Sequence, residues 1–127
     1  MENLNTTTDR DFKQCTAEIL SNGERTDTVI IQFSGTVTSM SLYQQGFQNK
    51  ISTLVRDNQY ETFVIDLMDA IYIDSGVLGM ISNITKHRKK AKLVCLKNSL
   101  IYQVFEQMNL LKVLPCYNEL NQALQAV

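Results

Sequence analysis

The sequence has few of the residues that build metal centres and disulfide frameworks: three cysteines, one histidine and no tryptophan among 127 residues. Cys15, Cys95 and Cys116 are odd in number and widely spaced, and none belongs to a C-x-x-C pair. This spacing argues against a disulfide framework and against a zinc site. His87 stands among cations, which gives little support to a catalytic or metal-binding role. We therefore expect reduced thiols, no metal and no cofactor.

The chain also lacks an excess of charge of either sign and lacks long apolar runs. Its formal net charge is -1, so a nucleic-acid partner has little electrostatic support. No apolar run approaches the length of a membrane span, and the N-terminal stretch MENLNTTTDRDF has no basic start followed by an apolar core. We predict a cytoplasmic protein that binds neither nucleic acid nor a membrane.

The apolar content is sufficient for one folded domain. Hydrophobic residues make up 44% of the sequence and charged residues 20%, over the length of a single domain. Residues 1–11 are polar and predict a flexible N-terminus. The remainder contains no linker, repeat or low-complexity segment, so we predict one domain over residues 12–127.

The first part of the domain predicts an antiparallel pair of strands. Asn22-Gly23 is a strong hairpin signal, because both central positions of the turn need positive φ. It separates a strand within residues 12–20 from a second strand at residues 28–33, which is expected to end at Ser34-Gly35. The inward face of the second strand is formed by Val29, Ile31 and Phe33.

After the second strand, the apolar residues recur at the spacing of a helix. Apolar residues at helical spacing predict a helix within residues 41–57. Its inward side is formed by Phe47, Ile51, Leu54 and Val55, with Leu42 and Tyr43 about a turn upstream. The run TFVIDL at residues 62–67 is β-branched and aromatic, which is typical of a strand buried on both faces of a parallel sheet.

The second half alternates helices and strands. A helix is expected from near Ser75 to residues 86–90, a strand at residues 92–96, and a helix capped at Asn98-Ser99. A short strand at residues 112–114 and a helix from Asn118-Glu119 follow. The inward stripes of the three helices are Val77, Leu78, Ile81 and Ile84; Ile101, Val104, Phe105 and Met108; and Leu120, Ala123, Leu124 and Val127. This order predicts an α/β domain with a mostly parallel sheet.

The joint IYIDSGVLG, residues 71–79, places a serine where a strand turns into a helix. Ser75 could cap the helix with its hydroxyl, or it could carry a phosphate that meets the free N–H groups of the first helical turn. The residues alone leave both open, and helix caps are the commoner of the two. Gly79 lies inside the predicted helix, where glycine is unfavourable, which suggests close packing or a close approach at that face of the helix.

Three segments of the chain resemble STAS domains of the anti-sigma factor antagonists. The stretch DLMDAIYIDSGVLGMI at residues 66–81 is similar to the family signature. The stretch VIIQFSGTVTS at residues 29–39 is similar to the second strand of the family and the loop after it. Residues 92–124 are similar to the C-terminal half of the family. The resemblance covers about residues 12–127. It implies a small mixed, mostly parallel sheet with about four helices packed largely on one side.

The resemblance also implies a function, partner switching in bacterial transcription regulation, and no enzymatic activity. The unphosphorylated protein would bind an anti-sigma factor that is also a serine kinase, and phosphorylation would release it. A PP2C-type phosphatase would reset the protein. Ser75 matches the phosphorylated serine, and Asp74 matches the acid before it.

The resemblance implies partner contacts in two segments of the chain. They are Asp74, Ser75, Gly76, Val77 and Gly79 in the signature, and Gly35, Thr38, Ser39 and Met40 in and after the second strand. Five positions depart from the family pattern, and two of them are Met68 and Asp69, where Ser-Gly is common. Gly76 stands where a second serine is usual, Val77 where glycine is usual, and Thr38 where an aspartate is common.

Two alternatives follow from these departures and from the joint itself. One is a STAS adaptor that binds another regulator without depending on phosphorylation, for which the altered DSGV sequence and Thr38 are the best support. The other is a small enzyme or nucleotide-binding module that uses the same helix start. Against this second alternative, the chain has no G-x-G-x-x-G, no G-x-x-x-x-G-K-[ST] and no nucleophile–base pair.

Overall fold

A computed structural model of the chain describes residues 15–21, 26–87 and 89–126. The strands are β1 (Thr16–Ser21), β2 (Thr28–Val37), β3 (Thr62–Ile73), β4 (Lys90–Val94) and β5 (Cys116–Tyr117). The helices are α1 (Ser39–Gln44), α2 (Phe47–Arg56), α3 (Ser75–Lys86), α4 (Leu100–Gln107) and α5 (Leu120–Gln125), with a 3-10 turn at Leu110–Lys112. The expected flexible N-terminus and the Asn22-Gly23 turn lie outside the described residues.

The five strands form one mixed sheet in the order in which they occur along the chain. β1 is antiparallel to β2, with Ile19 opposite Ile31, and β2 to β5 are parallel. The predicted antiparallel pair and the mostly parallel sheet are confirmed. Parallel neighbours need a crossover connection, and helices provide each of these connections.

The alternation of side chains along the strands produces two unequal cores. Phe63 and Ile65 of β3 point into a large apolar cluster that is covered by α1, α2, α3 and α4. Val64 points the other way, into a small cluster with Ile30 and with Ala123 of α5. Both faces of β3 are therefore buried, as its composition predicts. Four of the five described helices lie on one side of the sheet.

The helix predicted within residues 41–57 is wrong in one respect, because it is two helices. α1 and α2 are separated at Gly46, whose φ of 69° lies in the left-handed region that glycine adopts readily. The side predicted to face inward does so: Phe47 and Ile51 are buried. Tyr43, predicted a turn upstream of that side, is instead 71% exposed.

β2 and β3 are longer than the sequence indicates. β2 passes through the expected end at Ser34-Gly35 and continues to Val37, and β3 continues to Ile73. Gly35 has a φ of 79° beside a register shift, so it marks a bulge and not the end of the strand. β3 pairs with β4 only as far as Asp66. β1 pairs with β2 only as far as Ser34, so within the described part of the chain residues 35–37 and 70–73 form a two-stranded extension, the β2–β3 arm.

The C-terminal third differs from expectation in several places. β4 begins and ends two residues before the predicted strand at 92–96. The strand predicted at residues 112–114 is wrong, because a 3-10 turn ends there and β5 follows Pro115. Short apolar runs fit a strand and a helical turn equally well. Met108 was placed on the inner stripe of α4 but is 59% exposed, and Val127 lies outside the described residues.

Candidate functional site

The β2–β3 arm brings two strand-to-helix joints side by side. In the parallel ladder Val37 is opposite Ile73. The residues that follow each strand, Thr38-Ser39 and Asp74-Ser75, are therefore neighbours. α1 and α3 begin here, at the carboxyl edge of the parallel strands, where open α/β sheets hold their ligands.

Asp74 connects the two helix starts. Its Oδ1 accepts a hydrogen bond from the backbone N–H of Val77 at 2.9 Å and so caps α3. Its Oδ2 accepts hydrogen bonds from the backbone N–H of Ser39 at 2.9 Å and from the Ser39 hydroxyl at 3.2 Å. One carboxylate therefore satisfies donors in the first turns of both α3 and α1.

The pKa of the Asp74 carboxyl is lowered from its ordinary value. Burial alone would raise this pKa, but the hydrogen bonds from the Ser39 N–H, the Val77 N–H and the Ser39 hydroxyl outweigh burial. These donors all stabilise the ionised form. Asp74 therefore carries a full negative charge at neutral pH, directly before Ser75.

Ser75 is not the cap of α3, so the interpretation of this serine as a helix cap is wrong. It occupies the first position of the helix, one residue after the cap Asp74, and its side chain is exposed. Among the described residues, no group forms a hydrogen bond with the Ser75 hydroxyl. The hydroxyl is therefore accessible from solvent and is not needed for the folded structure.

Gly76 lies in close contact with the start of α1. A Cβ atom at Gly76 would be 2.6 Å from Ser39 Cβ and 2.7 Å from Ser39 Oγ. Both distances are shorter than non-bonded heavy atoms tolerate. A side chain at position 76 would therefore push α1 and α3 apart, and glycine at this position is matched to the serine at position 39.

Gly79 does not have the close packing that its place in the helix suggests. A Cβ atom there would meet no other atom within 4 Å. Gly79 instead lines an open groove between α2 and α3 with a volume of about 470 Å³, together with Ile51, Ser52 and Asn83. The prediction of close packing at Gly79 is wrong.

The other residues expected to contact a partner divide into buried and exposed groups. Val77 has no exposed surface and Gly35 is buried within β2. Thr38 caps α1, and its Oγ1 accepts a hydrogen bond from the Ser41 N–H at 3.1 Å. Met40 is 64% exposed. The structure therefore leaves Met40 available for contact, while Val77 and Gly35 support the site from inside.

Three exposed apolar residues beside the joint are not evident as surface residues from the sequence. Tyr43 lies three residues after Met40 on α1, and Ile71 and Tyr72 lie near the end of β3; all three are about half exposed or more. Ile71 lies at the register shift between the Gly35–Ala70 and Thr36–Tyr72 pairs and has no partner in β2, and both Ile71 and Tyr72 are exposed on the arm that extends past β4. We call Met40, Tyr43, Ile71 and Tyr72 the apolar rim.

The site contains no arrangement suited to a metal ion. Across the described residues, no three or more His, Cys, Asp or Glu side chains are grouped to hold one.

In the same part of the chain, no helix has both the length and the apolar character needed to cross a membrane. The groups that the site presents are the Asp74 carboxylate, the exposed Ser75 hydroxyl and the apolar rim.

Solved structures of anti-sigma factor antagonists have this fold. One, from Mycobacterium paratuberculosis, superposes with a TM-score of 0.71 at 19% identity, over 90% of this chain and 94% of the other. SpoIIAA in its unphosphorylated form gives 0.69 at 18% identity, over 86% and 93%. The Bacillus cell fate determinant SpoIIAA in its phosphorylated form gives 0.64 at 18% identity, over 86% and 96%. At these identities the likeness shows the fold alone.

Sequence comparison gives the family. No curated protein sequence matches the chain significantly. The sequence profile of the STAS domain matches residues 4–123, which is most of the chain and includes both joints of the site. The chain belongs to the STAS domain family.

Proposed function

We propose that the protein is an anti-sigma factor antagonist that acts by partner switching, with Ser75 as its phosphoacceptor. The observation that carries this proposal is the exposed, unbonded hydroxyl of Ser75 directly after the charged cap Asp74. A kinase can reach such a hydroxyl without breaking a hydrogen bond of the fold. Two of the similar structures, by their own descriptions, are of an antagonist in phosphorylated and unphosphorylated forms.

The apolar rim is the proposed contact surface for the unphosphorylated protein. Met40 and Tyr43 present large apolar side chains from α1, and Ile71 and Tyr72 present theirs from β3. Exposed apolar side chains grouped around a polar centre are typical of protein interaction sites. In this proposal the partner covers the rim and places its own surface over the neutral Ser75 hydroxyl.

Phosphorylation would disrupt that contact through charge. The phosphate brings almost two negative charges and three acceptor oxygens. Asp74 already accepts the Val77 N–H and already carries a negative charge, so the start of α3 offers the phosphate less compensation than an uncapped helix would. The added charge therefore faces the partner, where like-charge repulsion and desolvation weaken binding.

In this scheme the chain is a regulated binding protein and not an enzyme. The kinase activity belongs to the anti-sigma factor, and a PP2C-type phosphatase removes the phosphate. Both reactions take place in the cytoplasm. The chain contributes the hydroxyl, its accessibility and a surface that distinguishes the two states.

The test is intact-mass spectrometry after incubation with ATP and a candidate anti-sigma factor kinase. We expect one added phosphate on the wild type and none on Ser75→Ala. Ser82→Ala is the matched control, because Ser82 lies on the same helix but its hydroxyl donates to the Gly79 carbonyl at 3.2 Å. Phosphate on Ser75→Ala, or none on the wild type with a kinase active on another substrate, would refute Ser75 as the acceptor.

A second candidate is an adaptor that binds a regulator without phosphorylation. It is favoured by Thr38, which caps α1 where the family commonly has an acid beside the acceptor. The adaptor would use the same apolar rim. Stable partner binding by the wild type, lost in Met40→Ala and unaffected by kinase treatment, would select the adaptor over the switch.

A further inference from the structure

Cys95 and Cys116 lie in contact although 21 residues separate them in the chain. Their Sγ atoms are 3.3 Å apart, and both cysteines are free thiols. The contact is produced by the β4–β5 pairing. The Leu93 N–H donates to the Pro115 carbonyl at 2.8 Å, and the Cys95 N–H donates to the Tyr117 carbonyl at 3.0 Å. These bonds hold Cys116 between Leu93 and Cys95.

The two thiols have different surroundings. Cys95 is 2% exposed and belongs to the main core, whereas Cys116 is half-buried at the edge of the sheet. A hydrogen bond with the Cys95 thiol lowers the pKa of Cys116 despite the effect of burial, and the ammonium of Lys97 lowers it further. The same hydrogen bond is the largest cause that raises the pKa of Cys95, and burial is the second. Cys116 is therefore the thiol that a solute reaches first and the nucleophile of the pair, and Cys95 is its buried partner.

We propose that Cys95 and Cys116 form an oxidative modification site, in which a hydroperoxide converts the two thiols reversibly into an intramolecular disulfide. In the first step the Cys116 thiolate attacks one peroxide oxygen. A sulfur–oxygen bond forms, the oxygen–oxygen bond breaks, and the departing oxygen takes the proton that the Cys116 thiol released on ionisation and leaves as water or an alcohol. Cys116 is oxidised by two electrons to a sulfenic acid, and the peroxide is reduced.

In the second step the Cys95 sulfur attacks the Cys116 sulfur. A sulfur–sulfur bond forms and the sulfur–oxygen bond breaks. The hydroxide leaves with the Cys95 proton as a second water molecule, so two thiols and one hydrogen peroxide give a disulfide and two waters. The sulfurs must approach from 3.3 Å to about 2.0 Å. A dithiol reductant reverses the reaction by exchange.

The disulfide would fasten β5 to β4. β5 has only two residues and pairs with the end of β4 through Leu93 and Val94. The chain beyond it forms α5, which covers the smaller core. A covalent link at Cys95 and Cys116 would therefore restrict opening of this edge and raise the melting temperature of the protein.

The experiment uses the full chain, fully reduced, desalted and treated with hydrogen peroxide. Intact mass is measured without reductant, and peptides are mapped for the linked pair. We expect a loss of two hydrogens, a Cys95–Cys116 link, and full reversal by dithiothreitol. Cys15→Ser is the matched control: it removes the third thiol, which is buried in the main core, and must still form the link.

The single variants separate the two steps. Cys95→Ser should stop at the sulfenic acid of Cys116, which dimedone traps, and Cys116→Ser should leave Cys95 unreacted over the same time. Sulfinic acid on Cys116 of the wild type without a link, a link through Cys15, or only intermolecular dimers would each overturn the proposal. The wild type and Cys15→Ser decide the question even if a core variant at Cys95 fails to fold.

Discussion

The helices α3 and α4 both begin beside a serine at the carboxyl edge of the sheet, but the two serines have different roles. Ser99 caps α4: its hydroxyl accepts a hydrogen bond from the Tyr102 N–H at 3.1 Å and donates one to the Leu96 carbonyl at 2.7 Å. At the start of α3 the cap is Asp74, and Ser75 follows it with no hydrogen bond to its hydroxyl among the described residues.

The difference shows that an acidic cap leaves the next serine available. Modification of Ser99 would break two hydrogen bonds of the fold, whereas modification of Ser75 would break none. The aspartate also links α3 to α1 through Ser39, so the hydrogen bonds that hold the backbone on either side of Ser75 do not involve its hydroxyl. At α3 the serine hydroxyl and the helix cap therefore belong to different residues, whereas at α4 Ser99 supplies both.

The largest expected effect is on partner binding, and it rests on the proposed function. Phosphorylation at Ser75 should weaken binding of the anti-sigma factor at least about 100-fold, or about 3 kcal/mol. After kinase treatment, Ser75→Ala should still bind the anti-sigma factor as tightly as the unphosphorylated wild type does. Ser99→Ala should lose affinity after kinase treatment, as the wild type does. Titration calorimetry measures each affinity. Loss of binding by kinase-treated Ser75→Ala would place the switch elsewhere.

The next effect concerns the contact between the two helix starts. Gly76→Ser should lower the free energy of unfolding by about 2 to 3 kcal/mol, because its Cβ would lie 2.6 Å from Ser39 Cβ. Combining it with Ser39→Gly removes the clash. A double-mutant cycle from urea unfolding should therefore show favourable coupling between the two substitutions. Additive effects would mean that the contact with Ser39 is not the cause of the loss.

Removal of the two caps should have unequal effects. Ser99→Ala should reduce the free energy of unfolding by about 1 kcal/mol, the usual value for loss of a cap. Asp74→Ala should reduce it by about 2 kcal/mol, because the Ser39 N–H and hydroxyl also lose their acceptor. Urea unfolding at neutral pH compares the two variants directly. Equal losses would show that the bonds to α1 contribute nothing.

The two caps should also differ in their dependence on pH. The pKa of Asp74 in the folded protein lies below its ordinary value of 3.8. The stabilisation is therefore fully present above that value and is lost as the pH falls through the pKa of the folded state. Asp74→Asn keeps a neutral cap, so the stability difference between this variant and the wild type should stay constant above about pH 3.8 and shrink as the pH falls below that value. The difference between Ser99→Ala and the wild type should stay constant on both sides of that value.

The smallest effect is expected at Gly79, and its sign is opposite to that at Gly76. Gly79→Ala should raise the free energy of unfolding by up to about 1 kcal/mol, because alanine favours the helix and meets no atom within 4 Å. Gly76→Ala is the matched control and should destabilise the protein. Thermal unfolding of the two variants gives the comparison. Destabilisation by Gly79→Ala would mean that the groove beside it is closed in solution.

Local patterns in the sequence determined the order of the elements and much of the core. The alternation in residues 28–33, the doubly buried run at residues 62–67 and the stripe that includes Val77 and Ile81 depend on near neighbours along the chain. The same holds for the strand-to-helix joint at Asp74-Ser75. These features follow from the fixed periods of strands and helices, so one sequence is enough to read them.

Tertiary structure decided the remaining features because they depend on residues far apart in the chain. The bond between Ser39 and Asp74 spans 35 residues, and the contact between Cys95 and Cys116 spans 21. Both are set by strand register, which places Val37 beside Ile73 and Cys116 beside Leu93. Register also makes Gly76 a tight contact while Gly79 stays open. No local pattern contains that information, since a shift of one residue in register would change every one of these pairs.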